Sequence, residues 1–261
     1  MKEKLLKNIK NGIPMVHLSI DDCLLGLQEV FSGNYGSLFD SDYFEFLRGL
    51  HNDTGVVITS FLFYENENFN LAMTDSRYRQ DFNSNHWLKF QVHARNRQTP
   101  MTNQTTEEVS DTIDQINDAM FKFVGKENFA TSWRPHYFSA NRDACNLMRR
   151  QSDVLLTADD RRKVVACLSP DVVKRMWNGG YYDDEESGFL LLNTSFRIED
   201  STMGVKEMKS RVDEDIRKHG ISAIYTHEYC LVGCNGNFKQ IRDKTRRLLK
   251  HAKENGYEFI A

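Results

Sequence analysis

The sequence predicts a single α/β domain built as a (β/α) barrel, distorted and with about seven strands. Three observations carry this expectation. Short β-type runs alternate with helix-type segments along all 261 residues, the pattern of parallel strands joined by right-handed crossovers. No Gly-rich phosphate loop follows the first strand, which weighs against an open dinucleotide-binding sheet. No 20–50-residue repeat is present that would mark a solenoid or propeller.

The elements follow in order. The first strand is 15–20 (MVHLSI), ending at Asp21-Asp22. A helix containing 41–47 starts at Ser41 and aligns Phe44, Leu47 and Leu50 on one face. Residues 55–63 (GVVITSFLF) are nearly continuously apolar, as in a strand covered on both sides. Residues 87–93 alternate as a third strand. A helix over 106–125 takes Thr106 as its N-cap, Glu107, Glu108 and Asp111 at its positive end, and Gly125 at its C-terminus. A strand at 130–134, a helix at 141–150 and strands at 154–157, 164–168 and 188–193 come next. An excursion or lid loop is expected near 169–188. A helix at 204–219, a strand at 221–226, a helix at 238–255 and a strand at 257–260 complete the chain.

Composition excludes several classes. Thirty-four Lys+Arg against 37 Asp+Glu leave a formal charge of -3, without the basic excess that grips a phosphate backbone, so no nucleic-acid partner is expected. No segment approaches the 18 apolar residues needed to span a bilayer, and the N-terminal residues lack the apolar run of a signal peptide. The five cysteines (Cys23, Cys145, Cys167, Cys230 and Cys234) are odd in number and scattered, which suits free thiols in a reducing, cytoplasmic compartment. His17 and His51 read as structural or solvated. The basic run Lys244, Arg246, Arg247, Lys250 reads as the solvated face of the last helix.

In such barrels the chemistry sits at the C-terminal ends of the strands. Those ends carry Asp21-Asp22, His93, Arg134-Pro135-His136, Asp159-Asp160 and His227-Glu228, all but the proline being charged or proton-carrying groups. A single Asp after a strand is usually a turn residue, and a single His is usually a hydrogen-bonded core group. Their coincidence on one rim points to metal binding or proton transfer.

Ser19-Ile20-Asp21-Asp22 resembles the first motif of the polysaccharide deacetylase superfamily, a strand ending in paired aspartates. The resemblance implies Asp21 as general base and Asp22 as metal ligand. It extends in strand order from about residue 14 to the C-terminus. In the second motif, His93 matches the first imidazole ligand, while Arg97 stands where the second belongs, and a guanidinium cannot coordinate a cation. Residues 132–137 (SWRPHY) resemble the third motif, whose Arg, here Arg134, orients the catalytic aspartate. His136 in this motif is the candidate to restore a third ligand. Residues 224–227 (IYTH) resemble the last motif, which implies His227 as the acid that protonates the leaving group and Asp159 as its supporting carboxylate.

The resemblance therefore implies metal-assisted removal of an acetyl group from an N- or O-acetylated sugar. The cofactor is a divalent metal held by Asp22, His93 and His136, zinc first, with cobalt, nickel or manganese also suited to such ligands. Tyr137, Arg97 and Trp177 are the expected substrate-binding residues, with Tyr181 and Tyr182 as further aromatics of the excursion. A cytoplasmic enzyme implies a nucleotide- or lipid-linked sugar of surface-polysaccharide or lipopolysaccharide assembly. Two alternatives stay open: a carbohydrate-binding barrel that has lost its metal, favoured by Arg97, and a phosphoesterase in which Arg97 and Arg134 grip phosphate.

Overall fold

The computed structural model describes residues 1–157, 168–233 and 236–261. The first half contains α1 (Lys2–Lys10), β1 (Met15–Cys23), α2 (Leu25–Ser32), α3 (Asp42–Thr54), β2 (Ile58–Phe63), α4 (Arg79–Asn83), β3 (Leu88–Ala94) and α5 (Thr106–Phe123). Then come β4 (Ser132–Trp133), α6 (Arg142–Met148), β5 (Val154–Leu156), α7 (Pro170–Gly179), β6 (Tyr181–Asp183), β7 (Leu190–Leu192) and β8 (Phe196–Arg197). The chain closes with α8 (Val205–His219), β9 (Ile221–His227), α9 (Phe238–Glu254) and β10 (Glu258–Ile260). The expected strand at 164–168 falls almost entirely outside the described residues.

One sheet runs β3-β2-β1-β9-β8 with parallel pairings, and β10 lies parallel to the start of β1. The second runs β4-β5-β7-β6, in which β6 alone is antiparallel. Two links join them. Residues 190–197 form one stretch that pairs with β5 through β7 and with β9 through β8. On the other flank the Ala130 N–H donates to the Phe90 carbonyl at 2.8 Å, and Phe90 bridges Phe129 in parallel. With β7 and β8 counted as one stretch, the circuit β1-β2-β3-β4-β5-β7/β8-β9 is the distorted, parallel barrel arrangement that the alternation predicts.

Strand periodicity sorts the core into an inside and an outside. Met15, Phe61, Val154, Leu156, Leu190, Leu192, Ile221 and Ala223 form one cluster inside the strands, and Leu5 of α1 joins it beside the strand starts. Their neighbours Val16, Leu18, Ile20, Leu88, Phe90 and Val92 turn outward into the larger cluster beneath the helices. There Phe31, Phe82, Phe90 and Phe123 meet edge to face, with centroids 5.4–6.0 Å apart.

Several local expectations change. Ser41 caps α3 through the Phe44 N–H at 3.2 Å, and Phe44, Leu47 and Leu50 are buried, as the periodicity predicts. The N-cap of α5 is Thr105, in a capping box with Glu108, and Thr106 is already helical. Gly125 plays no left-handed C-cap role, since α5 ends at Val124 in extended backbone. The region 169–188 is no lid loop in its described form. Ser169 caps α7 with Pro170 at its first position, and β6 then returns along β7. Lys244 is buried, donating to the carbonyls of Asp200 and Met203 at 3.0 and 3.1 Å, so only Arg246, Arg247 and Lys250 of that run are solvated.

Candidate metal centre

The polar strand ends meet in one cavity of about 180 Å³, lined by Asp21, Asp22, His93, Arg97, Arg134, His136, Tyr137, Arg197, Tyr225, His227 and Tyr229, among others. The first strand explains how two consecutive aspartates serve it. Strand β1 runs through Asp21 and Asp22 to Cys23, and its pairing with β2 shifts register between Ile20 and Cys23. Asp22 takes a left-handed φ of 58° there, which turns its side chain to the same side as that of Asp21. The two other non-glycine residues with positive φ, among those described, are Tyr137 and Phe138, on the opposite wall. Backbone strain is thus concentrated where the cavity is built.

Asp22 Oδ1, His93 Nε2 and His136 Nδ1 lie 3.2 Å from one another in all three pairs. The far nitrogens decide what this triangle means. His93 Nδ1 lies 2.7 Å from the carbonyl of Arg134, and His136 Nε2 lies 3.3 Å from the carbonyl of Arg97. A carbonyl only accepts, so each of those nitrogens carries a ring hydrogen, and in the neutral rings each facing nitrogen presents a bare lone pair. Burial holds His136 below the usual imidazole range, in keeping with a neutral ring. Asp22 Oδ1 is buried and has no hydrogen bond. Three electron-rich atoms converging without a proton between them leave room for a cation and repel one another without it. The 3.2 Å edges approach the spacing of about 3.3 Å between tetrahedral ligands held 2.0–2.1 Å from zinc. The residues fit a divalent metal.

Two ion pairs flank the triangle. Arg134, 1% exposed, donates through one terminal nitrogen to both oxygens of Asp21 at 2.9 and 3.0 Å, and through the other to Thr194 at 3.2 Å. Its guanidinium carbon also stands 4.3 Å from the Tyr225 ring centre. His227 places Nδ1 2.5 Å from Glu199 Oε1. Burial lowers the basicity of His227, but the bond to Glu199 and the charges of Glu199, Asp21 and Asp22 outweigh it and raise its pKa.

The structure brings together Asp21, Asp22, His93, Arg97, Arg134, His136, Tyr137 and His227. It does not bring Trp177, which sits half-buried on α7, packed against the outer core, because the excursion folds as a helix. Tyr181 and Tyr182 are likewise held in β6. Asp159 lies outside the described residues, and Glu199 is the carboxylate bonded to His227. Glu199 follows β8, a two-residue strand without a motif of its own. Tyr229 was also unforeseen; it stacks on His227 at 5.1 Å. His136, reaching in from the β4 end, and not Arg97, places the third donor atom beside those of Asp22 and His93.

No family model matches the chain, and no curated protein matches it. Solved structures do. A 4-alpha-glucanotransferase from Thermococcus litoralis superposes with a TM-score of 0.57 at 12% identity, over 95% of this chain and 39% of that one. The likeness is one of fold. At lower scores stand a peptidoglycan N-acetylglucosamine deacetylase (TM-score 0.49, 14% identity, 94% of this chain and 85% of that one) and a CE4 domain of a xylanase from the hindgut metagenome of Trinervitermes trinervoides (0.47, 14%, 95% and 87%).

Proposed function

We propose that this chain is a metal-dependent hydrolase of the polysaccharide deacetylase type, removing an acetyl group from an N- or O-acetylated sugar. The observation that carries the reading is the triangle of bare donor atoms of Asp22, His93 and His136, set between the Arg134–Asp21 and His227–Glu199 pairs. The order of these residues along the strands is that of the superfamily's motifs. A divalent ion held by the three donors supplies Lewis acidity toward the acetyl carbonyl and acidity to a water.

The remaining steps belong to the chain's own residues. Arg134 fixes Asp21 through bonds to both of its carboxylate oxygens, and Asp21 accepts the proton of the attacking water. His227, held protonated by Glu199, donates a proton to the departing amine or alkoxide. Tyr225 and Tyr229 wall the pocket beside His227. The substrate class is an acetylated sugar, for which we favour a nucleotide- or lipid-linked intermediate of surface-polysaccharide assembly.

Two rival readings are less well supported. The metal-free barrel rested on Arg97, whose place in the triangle His136 takes. The phosphoesterase reading needed Arg97 and Arg134 together, and Arg134 is committed to Asp21 and Thr194. Acetate release from acetylated mono- and oligosaccharides by zinc-loaded protein tests the proposal. Asp21→Asn is expected to abolish release while zinc content persists; loss of zinc instead reverses the roles of the two aspartates.

A further inference from the structure

Arg97 is a guanidinium presented at the mouth of the metal cavity by a fixed loop. Asn96 Oδ1 accepts from the N–H groups of Gln98 and Thr99 at 3.0 and 3.1 Å and from the Thr99 hydroxyl at 2.9 Å. Asn96 Nδ2 reaches Glu65 at 3.3 Å, and Arg95 pairs with the same Glu65 at 2.9 Å. The Arg97 carbonyl is itself the partner of His136. The loop therefore cannot swing without disturbing the triangle, and the side chain at its tip is preorganised.

Two of the charges around it are already matched. Asp21 faces Arg134 and Glu199 faces His227, while Asp22, the remaining carboxylate, belongs to the triangle and also attracts Arg97. The Arg97 side chain bonds the Tyr137 hydroxyl and lies 5.9 Å from the Tyr229 ring centre, and among the described residues it forms no ion pair. Arg197, carried by β8 at the other edge of the first sheet, lines the same cavity. A second cavity of about 500 Å³ meets the first at Asp22, Arg97 and Tyr229, which puts Arg97 between the reacting centre and the space for the rest of a ligand. Its wall carries Glu67, exposed and unpaired among the described residues, so an anion is better placed beside Arg97 than beside Glu67.

We infer that Arg97 forms an anion-recognition subsite, and that the acetylated sugar carries a carboxylate or phosphate beside its acetyl group. The inference rests on the deacetylase reading for the acetyl group but not for the anion. Charge-assisted bonds from a guanidinium to a carboxylate or phosphate supply both affinity and orientation.

The test is calorimetric titration of metal-free and zinc-loaded protein with glucuronate, glucose 6-phosphate and glucose. At least one anionic probe is expected to bind about tenfold more tightly than glucose in both forms. Arg97→Gln, which leaves the carbonyl behind His136 in place, should remove most of that preference, and Arg97→Lys should keep part of it. Whether glucuronate or glucose 6-phosphate binds better separates an acidic sugar from a phosphate-linked one. Equal binding of all three probes, a preference that survives Arg97→Gln, or one that exists only with zinc overturns the subsite. Because binding needs no turnover, a preserved preference without acetate release overturns the hydrolase reading alone.

Discussion

His93 Nε2 and His136 Nδ1 face each other at 3.2 Å, and each ring bonds a backbone carbonyl through its other nitrogen. Hydrogen bonding cannot hold two lone pairs in this arrangement, and a shared cation can. Zinc should therefore stabilise the fold through mass action, by about 4 kcal/mol at a thousandfold excess over Kd. Thermal unfolding with and without zinc measures this, and His93→Ala should abolish the shift.

The raised pKa of His227 sets a pH dependence. As general acid it must be protonated, so kcat/KM for an acetylated sugar should fall as pH rises through that pKa, above the ordinary imidazole value. Glu199→Gln removes the main raising influence, so the alkaline limb should move to lower pH. A limb that stays in place would mean that another group carries the proton.

The Arg134–Asp21 pair is buried, and truncating one partner strands the other charge. Arg134→Met should destabilise the protein by roughly 3–5 kcal/mol, measured by urea denaturation. A change near zero would show that the pair contributes little to the native state.

His17 sits inside the barrel, fully buried, and burial lowers its pKa to about 3, with the Arg134 charge adding to the effect. A depressed folded pKa contributes stability above the unfolded value of about 6.5, and that stability is lost as pH falls from there toward 3. His17→Asn should therefore lose less stability than the wild type between pH 7 and pH 4, by a few kcal/mol, in parallel denaturation series.

Phe123 joins Phe31, Phe82 and Phe90 under the helices. Phe123→Ala should cost about 3–5 kcal/mol without changing metal content, which separates core packing from the site.

The barrel was legible because strand alternation and the helix period are local signals, and so was the rim, since polar residues stop strands visibly. Less legible was the backbone that aims them. Nothing in the identity of Asp22 announces the left-handed turn that brings it beside Asp21. Glu199 reaches His227 across β8 and β9, a tertiary contact with no sequence spacing to betray it. The α7 helix does carry its signals, Ser169 followed by Pro170, but the polar and aromatic residues after them have the composition of a loop. Thr105 and Thr106 could each cap α5; the capping box with Glu108 favours Thr105, three residues before it.

The most direct measurement of the central claim is zinc stoichiometry and affinity after reconstitution of untagged protein, compared with His136→Ala. A metal centre at the triangle predicts one zinc per chain in the wild type and affinity reduced at least about 100-fold in the variant, beyond the loss typical of a mere supporting residue. Sub-stoichiometric zinc in the wild type, or unchanged affinity in His136→Ala, would contradict it.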